Sequence, residues 1–302
     1  MSKKTICIKC GSITTLTLNG KDLKGTQRYK CASCQKTFIL NSSPVKHFKT
    51  SHFKLKKFIG YMIDDVSLKV ISRNLSMNIK TAHYYRYLIF SVIASYQDNL
   101  IINGQILLDE TYVPIREKEF KFIPPDGKNL RGLSRNQLCL ITIINLSGKC
   151  VIKVSSRGVP HPKDYISLLN QNIGNINLIV YDGNTHNRQF VNQFKCAKIN
   201  ISKSDSEEYN LNYSDSLHSA LKRYLYKHIG MRLKNIQDYV NFFVYKYNFI
   251  SSKSPQNMRE EINVNNELIE DLYKRFKASS KKISYKSFLN NKGITDILAK
   301  KE

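Results

Sequence analysis

Acidic residues are scarce in this chain. Its 302 residues hold 23 Asp and Glu against 48 Lys and Arg, a formal net charge of +25. An A/T-rich genome inflates Lys but raises Glu as well, so codon bias explains the imbalance poorly. An excess of this size points to a polyanionic partner, nucleic acid ahead of an acidic membrane surface. Long hydrophobic runs are also missing. No apolar stretch approaches the ~20 residues of a membrane span, so no membrane partner is expected. A leader segment is not expected either, since Met1-Ser2-Lys3-Lys4-Thr5 runs straight into a cysteine pair. The expected location is therefore cytoplasmic, and nucleoid-associated if DNA is the partner. Finally, an even set of cysteines is absent. Seven cysteines in a chain without an export signal argue against a disulfide framework. Core-forming residues, by contrast, are plentiful. Hydrophobic residues make up 41%, which supports a sizeable core and argues against wholesale disorder.

Four of the cysteines are ordered in pairs. Cys7-Ile8-Lys9-Cys10 and Cys31-Ala32-Ser33-Cys34 are two C-x-x-C knuckles. Each knuckle brings two thiolates to one ion, and two knuckles complete a tetrahedral site. With strand-like segments between them, residues 1–41 read as a zinc ribbon. Four thiolates close the coordination shell, so the zinc is structural. A redox C-x-x-C would need a neighbouring βαβ pattern, which is not there. Cys139, Cys150 and Cys196 read as small core residues.

Residues 42–100 read as helical. Phe53, Phe58, Ile59, Met62 and Ile63 mark an apolar face at helical spacing. A short helix over 66–75, a turn at 76–78 and a longer helix over 79–93 follow, the order of a helix-turn-helix. The second helix would offer Lys80, Thr81, Tyr84 and Arg86 to a DNA groove. An ordinary three-helix bundle linking two domains fits the same pattern.

From residue 101 the pattern turns to strands: 106–113, 138–146 and 150–155. A crossover helix, a strand over 178–181, a short helix and a strand over 197–201 follow. The connection over 114–135 is basic and reads as a solvated or DNA-contacting loop, with Arg131 and Arg135. Three strands joined in succession, then helix, strand, helix and strand, is the order of the ribonuclease H-like fold. In such a sheet the fourth strand lies beside the first, so Asp109 and Asp182 would sit together at strand carboxyl ends. Adjacent carboxylates repel unless cations neutralise them, and two Mg²⁺ or Mn²⁺ ions do this in phosphoryl transfer. Glu110 should point to the other side of the strand, because side chains alternate. Asp215 and Lys222 are seven residues apart, on one face of a helix and roughly 10 Å apart along it. Asp215 suits a metal ligand or a helix N-cap, and Lys222 a phosphate contact or a solvated lysine. His218, one turn after Asp215, suits DNA contact or packing. Residues 251–302 are polar, with a short helix expected over 268–276.

The stretches Cys7 to Cys34, Asp109-Glu110-Thr111-Tyr112, Arg131 to Gln137, Tyr181-Asp182-Gly183 and Asn212 to Lys222 together resemble a known family. It is the bacterial insertion-sequence transposases of the DDE class with an N-terminal zinc ribbon, a helix-turn-helix and an Asp–Asp–(Asn/Glu)–Lys core (ISXO-like). The likeness spans about residues 5–250, and its specificity lies in the order and spacing of motifs. It implies a multidomain α+β protein: zinc ribbon over 1–41, helix-turn-helix over 42–100, ribonuclease H-like core over 101–250 and a partly helical tail over 251–302. Asp109, Asp182 and Asp215 fall at the positions of the catalytic metal ligands, and Lys222 at that of the lysine. Asp215 departs from the family's Asn or Glu. The resemblance implies a transposase that binds terminal inverted repeats and target DNA, hydrolyses phosphodiesters and transfers strands. It also implies a homo-oligomer that pairs two ends. A weakened transposase acting as a DNA-binding regulator and a junction resolvase on the same fold are the alternatives.

Overall fold

The computed structural model describes residues 4–6, 13–23, 25–39, 51–125, 133–203, 211–228, 230–279 and 285–299. The chain divides into two units, Met1–Ser51 with Lys274–Lys282, and His52–Tyr273 with Ile283–Glu302.

In the first unit β1 (Lys4–Ile6), β2 (Ile13–Lys21), β3 (Gln27–Cys31) and β4 (Thr37–Phe38) form an antiparallel sheet in that order. Cys31 and Phe38 are its buried centre, with Leu16, Tyr29 and Cys34 packed against them. Cys31 closes β3, and the chain then turns tightly: the Cys34 N–H donates to Cys31 Sγ at 3.4 Å. Gln35, the next residue, has φ +56, a left-handed conformation that few non-glycine residues adopt. The expected zinc partners Cys7 and Cys10 lie outside the described residues.

The second unit opens with helices. α1 (His52–Ile63) buries Leu55, Phe58, Ile59, Met62 and Ile63, one stripe at three- and four-residue spacing. Ser67 caps α2 (Leu68–Asn74), its side chain accepting from Val70 N. Asn78 caps α3 (Ile79–Ile93), with Oδ1 accepting from Lys80 N at 2.8 Å. Each cap satisfies one N–H that the helix start leaves unpaired.

A five-stranded mixed sheet follows. Its strands are β5 (Ile102–Pro114), β6 (Gln137–Asn145), β7 (Cys150–Arg157), β8 (Ile173–Tyr181) and β9 (Ala197–Asn200), in spatial order β7-β6-β5-β8-β9. β5–β6 and β6–β7 are antiparallel; β5–β8 and β8–β9 are parallel. β6 is buried along almost its whole length, as an uninterrupted apolar run requires. Between the strands come α4 (Pro162–Leu169) and α5 (Thr185–Val191). α6 (Asn212–Lys227) and α7 (Ile236–Lys253) follow the last strand.

Three elements differ from the sequence reading. β5 continues to Pro114, so Asp109 lies within a strand rather than at its end. What ends there is the parallel pairing, whose last pair is Leu108↔Tyr181. β8 begins at Ile173, earlier than expected, because Gly174, Asn175 and Asn177 give its exposed first half no apolar signal. The tail holds α8 (Met258–Ala278), a helix of 21 residues, followed by α9 (Tyr285–Leu289) and α10 (Thr295–Ala299). Along α8, Val264, Leu268, Leu272 and Phe276 are buried, every fourth residue.

β7 is an edge strand, and an edge leaves backbone N–H groups open. Here side chains close it. Asn248 Oδ1 accepts from Cys150 N at 2.8 Å, Gln97 Oε1 from Ile152 N at 2.7 Å and Gln237 Oε1 from Val154 N at 2.8 Å. Gln97 is fully buried and also donates to Ile152 O and Asn241 Oδ1. Replacing it strands the buried Ile152 N–H, whereas Asn241 Oδ1 still accepts from Gln237 Nε2 at 2.9 Å. Gln97→Ala is expected to lower unfolding free energy by about 2–4 kcal/mol. Urea denaturation measures this; a loss below about 0.5 kcal/mol would contradict the role given to this side chain.

Candidate active site

The site forms where β8 stops and β5 goes on. Asp109 pairs with Thr142 across the antiparallel side, and Asp182 directly follows Tyr181, the partner of Leu108. The two aspartates are thus neighbours, as the strand order predicted. Gly183 makes the turn after Asp182. It has φ +79, a conformation that favours glycine, and a Cβ there would displace the Asn200 amide, whose Oδ1 holds Ser202 N at 3.1 Å.

Each acid is held by different elements. Asp109 Oδ1 accepts from Glu110 N at 2.8 Å, and Oδ2 from the Ser214 hydroxyl of α6 at 3.0 Å. His218, one turn along α6, puts Nδ1 3.4 Å from Asp109 Oδ2 and Nε2 3.0 Å from Thr142 Oγ1. Burial lowers the His218 pKa to about 4, and Lys222 adds to this, so the ring is neutral near pH 7. With its single proton on Nδ1 it donates to Asp109 and accepts from Thr142; with the proton on Nε2 it leaves Nδ1 open to a cation.

Glu110 lies toward the other layer, as alternation requires. It accepts from the Tyr165 hydroxyl of α4 and from Asn187 Nδ2 of α5, the latter at 3.5 Å. Asn187 Nδ2 also donates to Asp182 Oδ1 at 2.9 Å, and Asn184 N donates to the same oxygen at 3.0 Å. Asn187 therefore bridges Glu110 and Asp182. Its own Oδ1 is buried without a partner among the described residues.

Two sets of donor atoms result, each gathered within 4.8 Å: Asp109 with Glu110 and Asp182, and Asp109 with Asp215 and His218. Asp109 is common to both. The acids crowd one another in a poorly solvated place. Burial holds the Asp109 carboxyl above its ordinary range, and Asp182 and Asp215 add to the rise, against hydrogen bonds from Glu110 N and Ser214. Burial also pushes Glu110 up to about 7, with Asp182 and Asp109 contributing. A cation relieves both effects at once. Hard carboxylate oxygens with one imidazole suit Mg²⁺ or Mn²⁺.

Asp215 is exposed and lies in the first turn of α6, whose N-cap is Leu211. The capping role is thereby set aside. Lys222 is exposed two turns further along the same helix. Alternation set Glu110 apart from the expected metal ligands, yet its carboxylate reaches the site. Ser214, Tyr165, Asn187 and Thr142 carried no sequence signal as partners of the acids.

The groups proposed to touch DNA divide. Lys80 is exposed and Thr81 half-buried. Arg86 is only 5% exposed and donates to Val66 O and the Tyr239 hydroxyl, which corrects its assignment as a groove contact. His218, also 5% exposed, serves Asp109 rather than DNA, a second correction. Tyr84 packs against Phe288 of α9, as do His83 and Tyr87, with ring centroids 5.9, 5.0 and 4.8 Å apart. Arg135 is exposed, its guanidinium 5.6 Å from the Phe122 ring centre. Arg131 lies outside the described residues. No described helix is long and apolar enough to cross a membrane.

No protein-family model matches the chain, and no curated protein matches it. Among solved structures it is similar to a Mos1 transposase paired-end complex with left transposon end. Identity is 10% over 68% of this chain and 79% of that one, with a TM-score of 0.25. It is also similar to a pre-cleavage Mos1 transpososome, at 10% identity over 79% of this chain and 82% of that one, with a TM-score of 0.24. Likeness at this level says nothing of chemistry, which rests on the side chains.

The turn below Asp182 supplies a direct test of the site's construction. Gly183→Ala is expected to cost at least about 1–3 kcal/mol of stability through strain and the clash with Asn200. Thermal or urea unfolding reads it, and a variant as stable as the parent would contradict the geometry.

Proposed function

We propose that the chain is a DNA transposase of the insertion-sequence DDE type. The observation that carries this reading is the sharing of Asp109 between two cation-ligand sets on a chain of net charge +25. The surplus positive charge attracts a polyanion, and the acids oppose it locally unless divalent ions are present. Asp109, Asp182 and Asp215 would hold two Mg²⁺ or Mn²⁺ ions, with Glu110 and His218 completing the sets. Such ions, when bound, lower the pKa of an attacking water or 3′-hydroxyl and offset charge on the phosphoryl group.

The chain's own residues do the rest. Ser214 and the Glu110 N–H fix the Asp109 carboxylate. Asn187 holds Asp182 and Glu110 at a set separation, so neither acid reorganises when substrate arrives. Lys222, about two turns beyond Asp215, holds a phosphate further along the strand. Residues 1–41, with Cys7, Cys10, Cys31 and Cys34 on a structural zinc, and residues 42–100 would bind the terminal inverted repeats. Lys80, Thr81, Tyr84 and Arg135 are the proposed DNA contacts that remain at least partly accessible. The core over 101–250 would hydrolyse a phosphodiester, and the freed 3′-hydroxyl would attack a target phosphodiester, forming one P–O bond as the target strand's own 3′-oxygen leaves. Pairing two ends calls for a homo-oligomer, and its substrate puts the protein at the nucleoid.

Incubating the protein with the terminal repeats of its element and Mg²⁺ or Mn²⁺ tests this. We expect 3′-end nicking that falls to background in Asp109→Ala and Asp182→Ala. Asn187→Ala should weaken Mn²⁺ affinity and nicking by about 10–100-fold. Nicking that survives the aspartate substitutions would overturn the assignment. End-specific binding without nicking would indicate a regulator, and cutting of branched DNA regardless of end sequence a resolvase.

A further inference from the structure

A cavity of about 250 Å³ opens beside Lys222. It lies past the acids, where the end of β5 and the segment after it meet α6 and residues 231–233. Val113, Leu225, Met231 and Leu233 line it together with Arg116, Lys222 and Tyr226. The Arg116 guanidinium lies 5.4 Å from the centre of the Tyr226 ring, which is 66% exposed. Glu117, the acid in the lining, accepts from Leu233 N and is thus engaged with backbone. Neither Arg116 nor Lys222 has a carboxylate partner among the described residues.

An occupant must be small, flat enough to stack on a tyrosine, apolar in its body and anionic at its margin. The volume falls below the roughly 300–1,000 Å³ of pockets for drug-sized ligands and suits one heterocycle. We propose that this cavity takes an unpaired nucleobase of the DNA strand engaged at the acids. Tyr226 is its stacking face, and Arg116 and Lys222 hold the adjoining phosphates. Sequence-tolerant binding of this kind rests on the π-face that every base presents. Placement fits: Lys222 lies about 10 Å along α6 from Asp215 at 1.5 Å per residue, so a strand crossing the acids passes the cavity within its next nucleotides.

This inference rests on the DNA reading, and the experiment separates the two. The full-length protein is titrated into a short thymidine strand carrying one 2-aminopurine, and into a duplex with the same base paired. Wild type should bind both and quench the fluorescence only in the single strand. Tyr226→Ala, at an exposed position, should weaken single-strand binding about tenfold, abolish the quench and leave duplex binding unchanged. Tyr226→Trp should restore the quench. Duplex binding with no single-strand quench, or equal losses for both DNAs in Tyr226→Ala, would overturn the cavity's role and leave the DNA reading standing. Binding of neither DNA by wild type would overturn both.

Discussion

Parallel pairing of β5 with β8 is the constraint on which the site depends. It carries β8 up to Tyr181 beside Leu108 and then releases it, so Asp182 emerges next to Asp109. A carboxylate leaving water is costly unless paired, and a second beside it raises the cost. The fold spends its surroundings on limiting this. Ser214 and a backbone N–H serve Asp109, and Asn187 and Asn184 serve Asp182. Glu110 keeps a hydroxyl and an amide. The remaining excess of negative charge is what a divalent ion would remove.

The sheet contributes both of its faces. Asp109 turns toward α6, and Glu110 toward α4 and α5, yet both carboxylates reach the site because no parallel partner covers β5 beyond Leu108. The site is therefore built by the layers jointly, and its rigidity depends on how the sheet is closed. Side chains of Asn248, Gln97 and Gln237 seal the β7 edge, which ties the strand farthest from the acids to α7. Outside this core the chain is strongly basic. A net charge of +25 around an acidic centre suits a polyanionic partner.

Much of this was legible in the sequence. Continuous apolar runs in β6 and the first half of β7 marked buried strands, and the seven-residue interval between Asp215 and Lys222 placed both on one helix. Other features are legible there as well. Ala82, Tyr85, Arg86, Ile89 and Ile93 fall on the buried stripe of α3, so helical spacing alone puts Arg86 inside. His218 shares a buried stripe with Ser214, Leu217, Leu221 and Leu225, which likewise argues against a DNA contact. The four-residue repeat of Val264, Leu268, Leu272 and Phe276 signals α8 despite its many charges. What sequence does not carry is non-local partnership. Tyr165 and Asn187 meet Glu110 from 55 and 77 residues away, and no local pattern encodes that meeting. The alternation rule placed the Glu110 side chain correctly but could not reveal that the neighbouring strand ends there.

We propose that Asp109 belongs to two cation sites at once. Electron paramagnetic resonance of the Mn²⁺-loaded protein tests it most directly. A shared Asp109 predicts a magnetically coupled pair of ions in the wild type and loss of the coupled signal in Asp109→Ala. Isolated ions only in the wild type, or a coupled pair that persists without Asp109, would contradict it.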